Sequence, residues 1–232
     1  FSTKPLKNKK MSTIQLPPAV LFDFDGVVVD SFQVHFQAWQ SAYYELFGES
    51  NLDFPHKELS GKSPLLIAEY ICERAGQKEK TTRYFSTKAD HLHSNTQPPT
   101  LLPGVKEIQS FLDAKKIPHG IASNATRNFI GNSISQLQLG FSKYLGIEDY
   151  TYPKPHPEAY LSLARDLEVA PEDYERTWVF EDSITGTEAA KKAGMFPVGI
   201  LTINSADTMK EAGSKLVFPT LLEAWQFLKK DH

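Results

Sequence analysis

The stretch VLFDFDGVVVDS, residues 20–31, sets two carboxylates two apart, Asp23 and Asp25, directly after a short apolar run; Asp30 follows five residues later. Glu181 and Asp182 end TWVFED (177–182), Ser123 and Asn124 end IPHGIASN (117–124), and Lys154 stands in YPKPHPEAY (152–160). Oxygen donors without histidine or cysteine suit magnesium, which takes one or two carboxylates together with water and phosphate. A lysine just ahead of a helix places a cation near a phosphate or a carboxylate pair. Taken singly, each residue has an ordinary reading. An aspartate at a strand exit is commonly a helix cap or turn residue, a serine before asparagine caps a helix, and a lysine before proline is a solvated charge. Together they fall at the ends of successive predicted elements, and that arrangement favours chemistry.

The elements that must position them alternate. AVLFDF (19–24), IPHGIAS (117–123), TWVFED (177–182), FPVGIL (196–201) and KLVF (215–218) read as short buried strands. Their apolar runs are continuous, as expected when both faces of a sheet are covered. Helical patterns lie between: VKEIQSFLDAKK (105–116), PEAYLSLARDL (157–167) with proline at a first helical position, TGTEAAKKAG (185–194) ending in glycine, and LLEAWQFLKK (221–230). Alternating strands and helices predict a doubly wound parallel α/β sheet. In open sheets of this kind ligands bind beyond the carboxyl ends of the strands, where Asp23, Ser123 and Asp182 all fall.

Residues 32–99 break the alternation. HFQAWQSAYYELFG (35–48), SPLLIAEYICERAG (63–76) and a third pattern over 79–93 are helical, and TQPPTLLPG (96–104) reads as a proline-rich return linker. The organisation expected is a core of residues 19–31 and 100–232, an all-helical insert of residues 32–99, and an N-terminal extension of residues 1–18. The opening FSTKPLKNKK is basic and polar without an apolar signal core, and Met11 is a candidate start. The chain of 232 residues carries a formal net charge of −3, which argues against a nucleic-acid partner. No apolar run approaches the ~18 residues of a membrane helix. Cys72 is the single cysteine and forms no internal disulfide, so a cytoplasmic location is expected.

DFDGVVVDS (23–31), IASNAT (121–126), KPHPEAY (154–160) and FEDSITGTEAAKKAG (180–194) resemble, in order and context, the four motifs of the haloacid dehalogenase superfamily of aspartyl-phosphate phosphotransferases. The similarity runs over residues 19–230, and the insert resembles the helical cap of the subgroup holding β-phosphoglucomutase and sugar-phosphate phosphatases. The resemblance implies a Rossmann-like core, a magnesium cofactor and a small phosphorylated substrate; a monomer without a membrane or nucleic-acid partner is expected. It makes Asp23 the nucleophile and Asp25 the general acid/base, whose main-chain carbonyl also binds the metal. Phe24 points away into the core, and Gly26 permits the turn after the pair. Ser123 and the Asn124 amide hold phosphoryl oxygens, and Lys154 orients Asp23 and offsets phosphate charge. Asp182 is the main acidic metal ligand, with Glu181 a direct or water-mediated partner. In the insert, His35 matches a residue that contacts the general acid, or is a surface histidine. Trp39 lies on the same helical face, packing at the cap–core interface or inside the cap. Gly61, Lys62 and Ser63 in SGKSPL resemble the specificity loop, and Lys88 a substrate-contacting lysine or a solvated charge. Asp30 and Ser31 read as caps of the first cap helix or the hinge.

Two readings of the reaction follow. β-Phosphoglucomutases usually carry an arginine just after the cap-loop serine to grip a distal phosphate, and Pro64 stands there. SNATR (123–127) is nearer the phosphatase pattern. A phosphatase acting on a sugar phosphate is therefore expected ahead of a β-phosphoglucomutase. Dehalogenation fits less well with the metal acids. A non-catalytic binding module fits poorly with the full set Asp23, Asp25, Lys154 and Asp182.

Overall fold

The computed structural model describes residues 15–95 and 97–230. Most of the expected extension, residues 1–14, lies outside the described residues, as does Thr96 at the start of the return linker. In chain order, β1 (Val20–Phe22) and β2 (Val29–Asp30) lead into α1 (Phe32–Phe47), α2 (His56–Leu59), α3 (Pro64–Arg74) and α4 (Thr81–Ser94). The chain returns through β3 (Thr100–Leu101) to α5 (Val105–Ala114), β4 (His119–Ala122), α6 (Arg127–Leu137), β5 (Tyr144–Leu145) and α7 (Glu158–Asp166). β6 (Trp178–Glu181), α8 (Ile184–Lys192), β7 (Phe196–Ile200), α9 (Ala206–Ala212), β8 (Leu216–Phe218) and α10 (Leu221–Lys230) complete it.

Six strands form one parallel sheet in the order β5-β4-β1-β6-β7-β8, with Phe22 paired to Ile121 on one side and to Phe180 on the other. Every residue of β1 is fully buried because both faces are covered. Val20 and Phe22 pack with Ile108 and Leu112 of α5, Ile130 of α6 and Leu228 of α10. Leu21 faces the opposite side, against Tyr160 and Leu163 of α7 and Ala189 of α8. That two-sided burial is why the strand reads as a continuous apolar run, and each such side chain contributes about 1.5–3 kcal/mol. The sheet is the doubly wound parallel core expected from the alternation.

The chain leaves β1 in one direction for β4 and β5 and in the other for β6, β7 and β8, so β1 stands at the topological switch point. Over that end lie α1, α3 and α4, which form an inserted helical cap with its own apolar centre of Trp39, Ala42, Ile71, Cys72 and Tyr84. The Tyr84 hydroxyl donates to the Trp39 carbonyl at 3.0 Å, satisfying a buried polar group. The two crossings into the cap are paired: β2 and β3 run antiparallel, Val29 opposite Leu101 and Asp30 opposite Thr100.

Candidate active site

Asp23 follows β1 and is held in the sheet by its N–H, which donates to the Phe180 carbonyl at 2.9 Å. Phe24 turns into the core and is fully buried. Gly26 has φ +78°, and a Cβ there would overlap the Asp182 carboxylate. Only glycine lets the turn after the aspartate pair pass so close to β6.

Lys154 reaches the same point from the loop before α7 and is 3% exposed. Its ammonium donates to Asp23 Oδ1 at 2.8 Å, Glu181 Oε1 at 2.7 Å and the Tyr160 hydroxyl at 2.7 Å, which uses all three N–H groups. Tyr160 in turn donates to Glu181 Oε1, and Ser183 Oγ donates to Glu181 Oε2 at 2.9 Å. Both Glu181 oxygens are thus engaged by protein donors. Asp182 differs: it is 2% exposed, and its Oδ2 is buried without a hydrogen-bond partner. Carboxylate oxygens of Asp23, Glu181 and Asp182 lie within 4.8 Å of one another. A buried, partnerless carboxylate oxygen beside two more acids is expensive unless a cation is shared. The donor set therefore fits a divalent metal.

The charges follow from this crowding. Burial, reinforced by Glu181 and opposed by Lys154, raises the Asp23 carboxyl to about 7. Burial and the Asp23 and Glu181 charges hold Asp182 well above the carboxylate range. Lys154 is lowered by burial but raised more by Asp23 and Glu181, and stays a cation.

Asp25 occupies the facing wall. Ser31 Oγ donates to its Oδ1, His35 Nε2 lies 3.5 Å from the same oxygen, and Ser123 Oγ donates to Oδ2 at 3.4 Å. Burial pushes Asp25 up, but the hydrogen bond and charge of His35 and the Ser31 bond outweigh it and leave the carboxyl low. Behind His35, its Nδ1 meets Lys88 Nζ at 3.1 Å. Lys88 is 3% exposed, lies over the Trp39 ring at 4.9 Å, and is lowered by burial to about 8. The His35 ring also packs at 4.7 Å from Phe129 of α6, so one cap histidine touches both Asp25 and the core.

The cap loop is tied to the core at Gly61. Its carbonyl accepts from Asn124 Nδ2 at 3.0 Å and Thr185 Oγ1 at 3.0 Å. Asn124 is itself fixed, its Oδ1 accepting from the Lys154 N–H at 3.2 Å and lying 3.0 Å from the Tyr150 hydroxyl. Gly61 and Lys62 line a cavity of about 330 Å³ that also exposes Asp23, Asp25, Ser123 and Lys154. Ser63 does not line it; it is buried and caps α3, its Oγ accepting from the Leu66 N–H at 3.5 Å. Asp30 accepts from the Phe32 N–H at 3.2 Å, the capping place expected for it. Ser31 is not a cap: its hydroxyl makes no bond to α1 and goes to Asp25 instead.

A family model described as haloacid dehalogenase-like hydrolase matches residues 20–200. The chain belongs to this hydrolase family. Among curated relatives, a phosphorylated carbohydrates phosphatase of Thermotoga maritima is 29% identical over 84% of this chain and 91% of its own. A β-phosphoglucomutase of Bacillus subtilis is 30% identical over 90% of this chain and 95% of its own. Among solved structures, a β-phosphoglucomutase of Clostridium difficile superposes with a TM-score of 0.76 at 24% identity, covering 93% of this chain and 97% of that one. Within the haloacid dehalogenase-like frame, this chain adds contacts that sequence reasoning left unassigned. Tyr160 lay inside the KPHPEAY motif without a role, and Ser31 inside DGVVVDS read as a cap where the structure sends its hydroxyl to Asp25. Tyr150 and Thr185 carried no signal, because their partners are main-chain oxygens and an amide far away in sequence.

Proposed function

We propose that this chain is a magnesium-dependent phosphohydrolase that cleaves a small phosphorylated metabolite, a sugar phosphate first, through an aspartyl-phosphate on Asp23. It works as a cytoplasmic monomer with a core of residues 19–31 and 100–232 and a cap of residues 32–99. The observation carrying the reading is the Lys154 ammonium shared between Asp23 and Glu181, in the same cavity as an Asp25 held by Ser31 and His35. Lys154 orients Asp23 as the nucleophile, and Ser31 and His35 hold Asp25 as the proton carrier.

In this mechanism Lys154 points Asp23 at phosphorus, and the Asp23 oxygen forms a P–O bond as the bond to the leaving oxygen breaks. Asp25, ionised in the free protein, takes up a proton as the anionic ester binds beside it and gives that proton to the leaving oxygen. It then takes a proton from water, whose oxygen attacks phosphorus and releases inorganic phosphate and free Asp23. Ser123 and the amides beside it hold the phosphoryl oxygens. Asp23, Asp182 and the Asp25 carbonyl would hold magnesium, with Glu181 aligning Lys154. The ion supplies charge neutralisation for the phosphoryl group as the carboxylate approaches.

The alternative is β-phosphoglucomutase, the activity named for the Bacillus subtilis relative. Pro64 begins α3 and lines the cavity where a cation would grip a distal phosphate, and this favours the hydrolase. Phosphorus NMR of the protein with magnesium, β-glucose 1-phosphate and a trace of the 1,6-bisphosphate decides between them. Growth of inorganic phosphate, abolished by Asp23→Asn and by excess EDTA, is expected; conversion to glucose 6-phosphate with little free phosphate would establish the mutase.

A further inference from the structure

Away from Asp23, the cavity wall is a run of rings. Phe32 stacks on Phe36 at 5.6 Å, lies 3.9 Å from His56 and 6.4 Å from Phe54, and Phe36 meets Phe54 at 5.8 Å. All four line the same cavity as Asp25 and Lys154 and are only half-buried. Phe32 does not belong to the apolar centre of the cap, so its ring is not explained by packing there. Burial, opposed by Asp30, lowers the His56 pKa, which makes the imidazole a neutral surface rather than a cation. The polar side chains of this end, Asp30, Gln33 and Lys62, line the cavity too but are exposed, and so form its rim.

An aromatic floor with a polar rim matches one kind of leaving group. A ring with C–H hydrogens on one face and hydroxyls around its edge lays the face on the negative faces of the aromatics and turns the edge to the rim. An open-chain polyol has hydroxyls along its whole length, and pressing it on the same wall strands some of them without partners. We propose that Phe32, Phe36, Phe54 and His56 form a platform for a cyclic sugar, so that this protein hydrolyses sugar-ring phosphates in preference to open-chain polyol phosphates. The proposal rests on the phosphohydrolase reading above and specifies its substrate.

Glucose 6-phosphate and sorbitol 6-phosphate test it, because they share carbon count and phosphate position and differ in ring closure. The ratio of their kcat/KM values is expected to favour the ring by about tenfold or more, carried in KM, as the loss of one aromatic contact amounts to roughly that factor. Phe32→Ala is expected to bring the ratio near one by raising KM for the ring ester, while Phe32→Trp, which keeps a flat face, preserves it. Phe54→Ala repeats the test if Phe32→Ala fails to fold. A ratio near one in the unaltered enzyme, or one unmoved by both alanine variants, would overturn the platform. Calorimetry of both esters on Asp23→Asn separates the two ideas. Tighter binding of the ring ester without turnover in the unaltered enzyme would remove the reaction and keep the platform. Equal binding would sink the platform whatever the turnover.

Discussion

Asp182→Asn should make the metal-free protein more stable, not less. Asp182 is 2% exposed, its Oδ2 has no hydrogen-bond partner, and burial with the Asp23 and Glu181 charges raises its pKa well above 3.8. A group whose folded pKa is raised contributes fully below its unfolded value, and that contribution is lost as pH rises towards the folded value. Over the pH range between the two values the loss grows by up to about 1.4 kcal/mol per pH unit. Asparagine keeps the shape and does not titrate. The variant should therefore match the parent near pH 4 and exceed it increasingly towards pH 7 in EDTA. For a chain of this size each kcal/mol is roughly 2–4 °C in Tm. Saturating magnesium should raise the parent, because an ion binding only the folded state stabilises it, and should leave the variant unmoved. The assay is thermal unfolding by circular dichroism at pH 4, 5.5 and 7, with EDTA and with magnesium. A variant equal to or weaker than the parent at pH 7 in EDTA, or a difference that does not grow with pH, would refute the argument that Asp182 is a strained metal ligand.

Lys154→Met should destabilise the protein by about 3–5 kcal/mol in chemical denaturation, since it leaves two buried carboxylates without their shared cation; an unchanged midpoint would show that the ammonium is not their partner. Gly61 has φ +73°, and a Cβ would lie 2.7 Å from Ser183 Cβ and 2.8 Å from Ser183 Oγ. Gly61→Ala should accordingly lower kcat/KM by about a hundredfold through misplacement of the cap loop while Tm falls only a few degrees; parent-like kinetics would show that the loop need not seat there. Lys62→Ala should raise KM more than it lowers kcat, the signature of a group that binds substrate and transition state alike. Identical constants would remove Lys62 from the substrate's surroundings.

What could be read from the chain alone was the part governed by local rules. β1, β4, β6, β7 and β8 are bounded apolar runs, and α5, α7, α8 and α10 carry clear periodicity or stop signals. β2, β3 and β5 are two residues each, too short for any period to register, and they exist because a neighbouring strand offers a ladder. In the site, the acids and Lys154 stood out by chemical type at element ends. Their supports did not. Ser31 read as a helix cap because serine before a helix usually is one, and tertiary placement diverted it to Asp25. Ser63 read as a substrate contact and caps α3. The Asn124–Gly61–Thr185 tie joins three distant segments through one carbonyl, and a carbonyl is the same on every residue.

The antiparallel pairing of β2 with β3 joins the two crossings into the cap as one strip. Two separate tethers would let a lid tumble and slide; two crossings bonded to each other leave one swing about their common line. Ser31 is the first residue past that line, and its hydroxyl touches Asp25. A swing about that line is expected to withdraw Ser31 and His35 together from Asp25. The contacts that Ser31 and His35 make with Asp25 would then be made and broken by one movement.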